Sequence, residues 1–154
     1  MLDPLDRAIL AILQENARTP NSEIARRVGL APSAILERIR KLERTGIIRG
    51  YEPRIDPIAL DAGLIAFVFV HVEERIGGLE AGREIARLPE VQEVHQIAGE
   101  DCYLIKVRTD SIPSLNLILN ELSSAPLSLS TRTTIVMETH CEKVGGIVLG
   151  RERR

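Results

Sequence analysis

Apolar residues before position 43 recur at intervals of three and four, which predicts three consecutive helices. The first helix should begin after Asp3, a good N-cap, with Pro4 at its first position, where the missing N–H costs nothing. Its apolar stripe consists of Leu5, Ile9, Ile12 and Leu13. This stripe predicts a helix that covers the apolar backs of the two helices that follow.

The second and third helices are separated by a short turn. Gly29 ends the second helix, because a sharp break between helices often needs a positive φ just after the helix end. Pro32 marks the start of the third helix, and Gly46 stops it. The second helix has the apolar positions Ile24, Ala25 and Val28. The third has Ile35, Leu36, Ile39 and Leu42, which we expect to face inward.

Two short helices joined by a turn of three or four residues with a glycine form a helix-turn-helix, here over residues 21–50. Such a unit places its second helix in the DNA major groove. The sequence IIRGYEPRID at 47–56 is expected to form a short strand or wing, because Pro53 and Pro57 forbid helix. A linker should then run to about Gly63.

The charge distribution supports a DNA partner, although the net charge of −2 does not. Residues 18–54 contain nine basic and four acidic residues, a net charge of +5. Residues 61–154 contain ten basic and fourteen acidic residues, a net charge of −4. The positive charge is therefore local to the predicted DNA-binding unit, as an electrostatic footprint for phosphate requires.

The hydrophobic pattern changes at Leu64, where LIAFVFVHVE is apolar at nearly every position. Such a strand is expected to be covered on both faces. The helices of one small domain can cover one face only, so the second face predicts a dimer formed through the sheet. With aromatic residues at 3%, the core must be aliphatic.

The rest of the chain alternates strand-like and helix-like segments. The pattern predicts a helix over LEAGREIARL ended by Pro89, a strand over VQEVHQIAG, a strand over CYLIKVRT, a helix over 112–122 capped by Ser111, and a long strand over LSLSTRTTIVMET. The resulting order β-α-β-β-α-β is the ferredoxin-like motif. We therefore predict an α+β protein with helix-turn-helix residues 1–50, linker 51–63, ferredoxin-like residues 64–142 and tail 143–154.

Other chemistry is sparse in the sequence. Cys102 and Cys141 have no metal-binding spacing and suit free thiols in a reducing compartment. His71, His95 and His140 lie on separate predicted strands, so we expect ordinary strand histidines rather than a metal or catalytic cluster. Without a signal pattern or a membrane-length apolar run, a cytoplasmic protein is expected. Because the sequence has no obvious catalytic cluster, we expect neither an enzyme nor a cofactor.

The outward face of the third helix contains the candidate DNA contacts. Because the N-terminal part of a recognition helix reaches base edges, the base-reading candidates are Ser33, Ala34, Glu37 and Arg38. Arg38 suits guanine, and Glu37 suits cytosine N4 unless it pairs with Lys41. The candidates for phosphate contacts are Arg26, Arg27, Arg40, Lys41, Arg44 and Arg49.

Several segments in order resemble the Lrp/AsnC transcriptional regulators, the leucine-responsive or feast/famine group. LDPLDRAILAILQENAR resembles their opening helix, and NSEIARRVGLAPSAILERIRKLERTGIIRGY resembles their helix-turn-helix and wing. GEDCYLIKV and TRTTIVME resemble signature segments of their C-terminal domain. The resemblance implies a homodimer formed through the C-terminal sheets, often assembled into tetramers or octamers, that binds a two-fold-related operator.

The resemblance also implies a small effector, usually an amino acid, bound between C-terminal domains. The corresponding turn has the candidates Gly99, Glu100, Asp101, Cys102 and Tyr103. The corresponding positions of the final strand are Thr133, Thr134, Ile135 and Val136, which alternatively are plain strand residues of a dimer core.

Two positions depart from the family pattern. Ala31 stands where the family usually has a serine N-cap, a loss of typically about 1 kcal/mol. Cys102 stands where the family has an aspartate in Gly-x-x-Asp-Tyr, and Asp101 precedes it. Asp101 is thus the candidate partner for an amino-acid ammonium group.

Two other functions remain open at this point. A haem-pathway decarboxylase-like enzyme has the same two-domain plan, although this sequence has no obvious catalytic cluster and retains a basic helix-turn-helix surface. An effector-independent DNA-organising protein would also use the helix-turn-helix. The sequence favours a DNA-binding regulator, and the resemblance implies that it responds to an amino acid.

Overall fold

The computed structural model of the chain describes residues 2–72, 78–124 and 129–143. Within these ranges the chain forms two compact units, one of residues 2–54 with 141–143 and the other of residues 55–140. Each unit has its own hydrophobic core. Among the described residues Tyr103 is the one aromatic side chain buried in either core, so the expectation of an aliphatic core is confirmed.

The N-terminal unit contains the three predicted helices, α1 (Pro4–Glu15), α2 (Asn21–Val28) and α3 (Pro32–Arg44). One buried stripe from each helix meets the others in the centre. The buried residues are Ile9, Ile24, Ala25, Ile35, Ile39 and Leu42. The small side chain of Ala25, with 3% exposure, allows the helices to approach closely.

The helix ends follow the residues that the sequence marks. The Asp3 carboxylate accepts a hydrogen bond from the Asp6 N–H at 2.7 Å, and Asp6 reciprocates to form a capping box for α1. Gly29 adopts φ 73° between α2 and α3. Ala31 occupies the N-cap of α3 without a side-chain hydrogen bond, as its missing hydroxyl requires.

Leu36 does not face inward, contrary to the sequence-based expectation. Its side chain is 37% exposed, whereas Ile35, Ile39 and Leu42 are buried. Leu36 lies about 100° around the helix from Ile35, and a helix packed on one side buries a stripe of about that width. The core contacts of α3 therefore exclude Leu36.

The predicted wing strand at residues 47–56 is also wrong, because these residues form no strand. The N–H groups of Ile47 and Ile48 instead donate to the Leu42 carbonyl at 2.9 and 3.1 Å and complete the end of α3. A strand needs a ladder partner, and these two donors are already used within the helix end.

Arg38 joins α3 to the start of α1. Its Nη1 donates to Asp6 Oδ1 at 2.6 Å and to Asp3 Oδ2 at 2.5 Å. The Asp6 side chain is 2% exposed, so its carboxylate depends on this guanidinium and on the capping box for its hydrogen bonds. The hydrogen bond from the Asp6 N–H, together with Arg38, lowers the pKa of Asp3. We call Arg38, Asp3 and Asp6 the α1–α3 clasp.

The second unit begins with a short 3₁₀ helix at Ile58–Leu60 and then has the predicted β-α-β-β-α-β order. Its elements are β1 (Leu64–His71), α4 (Gly78–Ile85), β2 (Val91–Gln96), β3 (Tyr103–Thr109), α5 (Ile112–Ser124) and β4 (Ser130–Ile135). The four strands form one antiparallel sheet in the order β2-β3-β1-β4. This is the ferredoxin-like arrangement that the pattern predicts.

The helices α4 and α5 cover one face of this sheet. The covered face contains Ala66, Val68 and Val70 of β1, all with 0% exposure. On the other face Phe67, Phe69 and Leu104 are only half-buried within a single chain. The chain's own helices therefore account for the apolar residues on one face of β1 but not for those on the other face. The dimer that would cover the other face remains a prediction.

Several elements are shorter than predicted, among them α4 and β4. Helix α4 ends at Ile85, because the N–H groups of Arg87 and Leu88 reach back only three residues and tighten the last turn. Strand β4 ends at Ile135, opposite Ala66. β4 is an edge strand that pairs only with β1, so its ladder stops near the beginning of β1. Residues 144–154 of the predicted tail lie outside the described residues.

Gly82 of α4 allows close contact with the core tyrosine. A Cβ there would lie 2.9 Å from Tyr103 Cε1. We expect Gly82→Ala to destabilise the protein by roughly 1 kcal/mol, because an overpacking cost of ~1–3 kcal/mol exceeds the ~1 kcal/mol gained in helix propensity. Urea unfolding measures the change. Gly63→Ala is the control, since its Cβ meets Ile58 at an ordinary 3.9 Å; equal stability of the two variants would contradict the expectation.

The α1–α3 clasp predicts that Arg38→Ala lowers the thermal unfolding midpoint by several degrees, because the Asp6 carboxylate is then buried without its cation. Asp6→Asn added to Arg38→Ala should recover part of the loss. Arg40→Ala, which removes an exposed arginine of the same helix, should change the midpoint little. Differential scanning calorimetry of the wild type, the two single variants and the double variant tests this prediction. Equal unfolding midpoints for Arg38→Ala and Arg40→Ala would contradict the stabilising role of the α1–α3 clasp.

Candidate functional site

The outward face of α3 is polar and accessible. Among the base-reading candidates, Ser33 and Glu37 are exposed and Ala34 is half-buried. Arg40, Lys41 and Arg44 continue the same exposed face toward the end of the helix. The helix therefore presents the polar side chains of Ser33 and Glu37 in its first half and cations near its end, an arrangement that suits contact with DNA.

Arg38 is in a different position from the one that the sequence suggested. Its side chain is 28% exposed and is held in the α1–α3 clasp. The flank of α3 that contains Arg38 faces the N-terminus of α1, where two carboxylates meet the guanidinium. A contact between Arg38 and guanine would have to break or share these ion pairs.

Glu37 has a different partner from the expected one. Its Oε1 lies 3.4 Å from Arg40 Nη1, an i,i+3 pair, rather than next to Lys41. Both side chains are largely exposed, so the pair is weak and can open for a base or a phosphate.

The phosphate candidates divide into paired and unpaired cations. Arg26 and Arg27 both donate to Glu23, at 2.7 and 2.9 Å, and their hydrogen bonds lower the pKa of Glu23 to about 2, with Arg26 the larger cause. Within the part of the chain that the structure describes, Lys41, Arg44 and Arg49 have no ion-pair partner. These three cations can therefore bind phosphate without first losing an ion pair.

A contact that the sequence did not reveal anchors the segment after α3. The Tyr51 hydroxyl donates to Glu43 Oε1 at 2.9 Å. Partial burial, and then this hydrogen bond, raise the pKa of Tyr51 to about 12. The two residues are eight positions apart without a shared period, so only the folded chain shows that they meet.

The candidate effector turn lies between β2 and β3. Gly99 has φ 147°, which favours glycine, although a Cβ at this position would meet no atom within 4 Å. The Glu100 carbonyl accepts a hydrogen bond from His71 Nδ1 at 2.8 Å, and the Cys102 N–H donates to the Val70 carbonyl at 2.8 Å. These bonds fix the turn against the end of β1.

Asp101 is joined to the edge strand of the sheet. Its Oδ2 accepts from Arg132 Nη2 at 2.8 Å, and the Arg132 guanidinium carbon lies 4.2 Å from the centre of the Phe69 ring. Neither Arg132 nor Phe69 was among the sequence candidates, because strand alternation alone does not show which turn an outward arginine reaches. The structure thus places a carboxylate and a guanidinium together beside the turn.

The next two residues of the turn are less accessible than the sequence suggested. Cys102 is half-buried, and its Sγ lies 3.9 Å from the Val72 carbonyl. Tyr103 begins β3 with its side chain in the core on the helix side of the sheet, 4% exposed. The Tyr103 ring is therefore not presented to a ligand at this turn, because period-2 alternation directs it under α4.

The last two candidates of the final strand, Ile135 and Val136, do not meet the turn within one chain. Thr133 pairs with Val68 and Thr134 pairs with Phe67 on β1. The two threonine side chains therefore point to different faces of the sheet. Ile135 pairs with Ala66 of β1, whereas Tyr103, at the end of the turn, pairs with Val70. Ala66 and Val70 are four residues apart along the strand. Four residues of strand span about 14 Å. Val136, whose N–H donates to the Ile65 carbonyl, lies still farther from the turn.

The remaining candidate chemistry is ordinary. In the described ranges no group of three or more His, Cys, Asp or Glu side chains is arranged to hold a metal ion. Cys102 and Cys141 are free thiols. None of the helices within the described residues is long and apolar enough to cross a membrane.

Two family models match the chain, one in each unit. The AsnC-type helix-turn-helix domain matches residues 2–43. The Lrp/AsnC ligand binding domain matches residues 65–145. The first match contains α1, α2 and nearly all of α3, and the second contains all of the sheet except Leu64, the first residue of β1.

Curated relatives match over most of their length. The HTH-type transcriptional regulator FL11 of Pyrococcus horikoshii is 38% identical over 141 residues, which cover 92% of this chain and 93% of that protein. The leucine-responsive regulatory protein of Escherichia coli is 39% identical over 140 residues, which cover 89% of this chain and 85% of that protein.

Solved structures have the same fold. A feast or famine regulatory protein from Mycobacterium tuberculosis, complexed with L-methionine, is 31% identical with a TM-score of 0.89 and covers 97% of this chain and 100% of that one. A transcriptional regulator–L-methionine complex from Neisseria meningitidis is 30% identical with a TM-score of 0.84 and covers 93% of this chain and 94% of that one. The chain therefore belongs to the Lrp/AsnC family of transcriptional regulators, with a DNA-binding helix-turn-helix domain and a ligand-binding domain.

Proposed function

We propose that this regulator reads its operator with the exposed face of α3. Ser33, Ala34 and Glu37 meet base edges, and Arg40, Lys41 and Arg44 meet phosphates, together with Arg26, Arg27 and Arg49 at the edges of the site. The observation that carries this assignment is the accessible polar start of α3 followed by cations on the same face. Arg38 orients the helix through the α1–α3 clasp instead of reading a base.

The chain acts as a homodimer in this proposal. The half-buried side chains Phe67, Phe69 and Leu104 form an apolar patch, bordered by Lys106 and Arg132, on the sheet face that the helices leave open, and a second copy covers this patch. Two copies present two α3 helices, which suits a two-fold-related operator with half-sites about one helical turn apart or a multiple of it. Assembly of dimers into a tetramer or octamer agrees with an effector bound between C-terminal domains. Access to DNA and to metabolites places the protein in the cytoplasm.

The effector in this proposal is a free amino acid, as in the two L-methionine complexes of relatives. Asp101 binds the ammonium group, because a carboxylate accepts several hydrogen bonds and Arg132 uses only one of its oxygens. Gly99, Glu100 and Cys102 supply backbone groups of the turn. Ile135 and Val136 lie farthest from the turn along the final strand, so in this proposal they serve, with Thr133 and Thr134, a site completed by a second copy.

An effector-independent DNA-organising protein is the alternative that the same fold permits. It shares the α3 surface and the sheet, and differs only in lacking a response to a metabolite. Titration with amino acids therefore separates the two functions.

The DNA interface predicts distinct effects for the two classes of contact. Glu37→Ala should relax preference at one operator position by about 1–3 kcal/mol. Arg44→Ala should weaken binding to all duplexes equally and reduce the slope of log affinity against log salt by about one. Gel shifts on the region upstream of the gene and on a scrambled duplex measure both, with Arg83→Ala, an exposed arginine of α4, as control. Equal affinity of the wild type for the two duplexes would contradict sequence-specific binding.

The effector site predicts heat on mixing the full-length chain with at least one of the twenty amino acids in isothermal titration calorimetry. Asp101→Asn should weaken this binding at least tenfold, because loss of a charged partner of a buried ligand costs more than ~1.4 kcal/mol. Glu100→Gln, its neighbour in the turn, is the matched control and should bind like the wild type. If none of the twenty amino acids gives a heat of binding, the result would favour the effector-independent alternative.

A further inference from the structure

Leu36 is an apolar side chain on a helix face that is otherwise polar. It is 37% exposed and does not belong to the hydrophobic core of its unit. The α3 residues one turn before and one turn after it, Ser33 and Arg40, are exposed, as is its neighbour Glu37. Leu36 therefore lies within the face of α3 that carries the candidate DNA contacts.

The position of Leu36 along α3 is the one from which bases are reached. It is the fifth residue of the helix that begins at Pro32. In helix-turn-helix proteins the N-terminal part of the recognition helix contacts base edges, and the C-terminal part lies nearer the backbone. An apolar side chain at this position meets the floor of the major groove rather than phosphates.

The major groove offers an aliphatic side chain a single kind of apolar partner. Guanine, cytosine and adenine present hydrogen-bonding groups there, and thymine alone adds a C5 methyl group. A leucine has no donor or acceptor with which to replace water on the other bases. It is therefore compatible with a thymine methyl and unfavourable beside the polar edges of the other bases.

The surrounding charge makes DNA the occupant of this face. Arg40, Lys41 and Arg44 follow Leu36 along the same helix, and residues 18–54 have a net charge of +5. A duplex that satisfies these cations brings base edges to the middle of the helix face. An apolar protein partner would instead have to desolvate three cations.

We propose that Leu36 is a specificity-determining residue that contacts the C5 methyl group of a thymine in the operator. This inference rests on the proposed DNA-reading role of α3 and adds the base that one of its residues selects. The contact forms by burial of apolar surface on both partners. It favours thymine over uracil, which is the same base without the methyl group.

Deoxyuridine provides a direct test, because it removes only the methyl group. Full-length protein first selects a preferred duplex from a random-sequence library. The duplex is then synthesised with each thymine replaced in turn by deoxyuridine, and the affinities of wild type, Leu36→Ala and Leu36→Met are measured. The loss of one buried methyl group corresponds to about fourfold in affinity.

The expected result is one thymine in each half-site at which deoxyuridine weakens the wild type about fourfold and leaves Leu36→Ala unchanged. Leu36→Met, which keeps an apolar side chain, should retain the effect. Ile47→Ala is the matched control, since Ile47 is a 45% exposed aliphatic residue just beyond α3. It should show the wild-type pattern, and thermal unfolding of each variant verifies that it is folded.

Two results overturn the inference and can be told apart. If wild type selects no sequence from the library, the proposed DNA-reading face of α3 is wrong, and the role of Leu36 is lost with it. If a sequence is selected but the deoxyuridine profiles of wild type and Leu36→Ala agree at every thymine, only the role of Leu36 is wrong. The second result includes a uniform loss of affinity in Leu36→Ala, which would assign Leu36 to packing or to contact with a second copy.

Discussion

The buried carboxylate of Asp6 is the constraint on which the DNA-binding unit depends. A carboxylate with 2% exposure must keep its hydrogen bonds, and it obtains them from Arg38 and from the capping box at the start of α1. The same ion pair sets the rotation of α3. With Arg38 directed toward α1 and Ile35, Ile39 and Leu42 in the core, Ser33, Leu36, Glu37 and Arg40 remain on the accessible side.

A comparable division of faces organises the second unit. Residues of β1 alternate between a face under α4 and α5 and a face that the chain's own helices leave half-buried. The candidate effector turn lies at the end of this sheet, where Asp101 and Arg132 pair beside Phe69. Arg132 thus contacts both Asp101 of the proposed effector site and Phe69 of the proposed dimer surface.

Much of this architecture could be predicted because it follows from local periodicity. The stripes of α1, α2 and α3, the positive φ of Gly29, the proline at the start of α3 and the ferredoxin-like strand order all lie in short stretches of sequence. The candidate site was predicted less completely. Sequence did not show the ion pairs of Arg38 with Asp3 and Asp6 or the packing of Tyr103 against Gly82, because these contacts join distant stretches of the chain. Leu36 was predicted to face the core and is 37% exposed.

Sequence alone determined which segments are helices and strands, where the positive charge is concentrated and that the chain resembles a family of regulators. These properties depend on residues a few positions apart. Tertiary structure decided which side of each element is used. Arg38 binds the carboxylate of Asp6, which is 32 residues away in sequence. The N–H groups of Ile47 and Ile48 donate to the carbonyl of Leu42 at the end of α3 instead of to a neighbouring strand. Each outcome depends on which partner satisfies a buried polar group, and that partner is known only when the chain is folded.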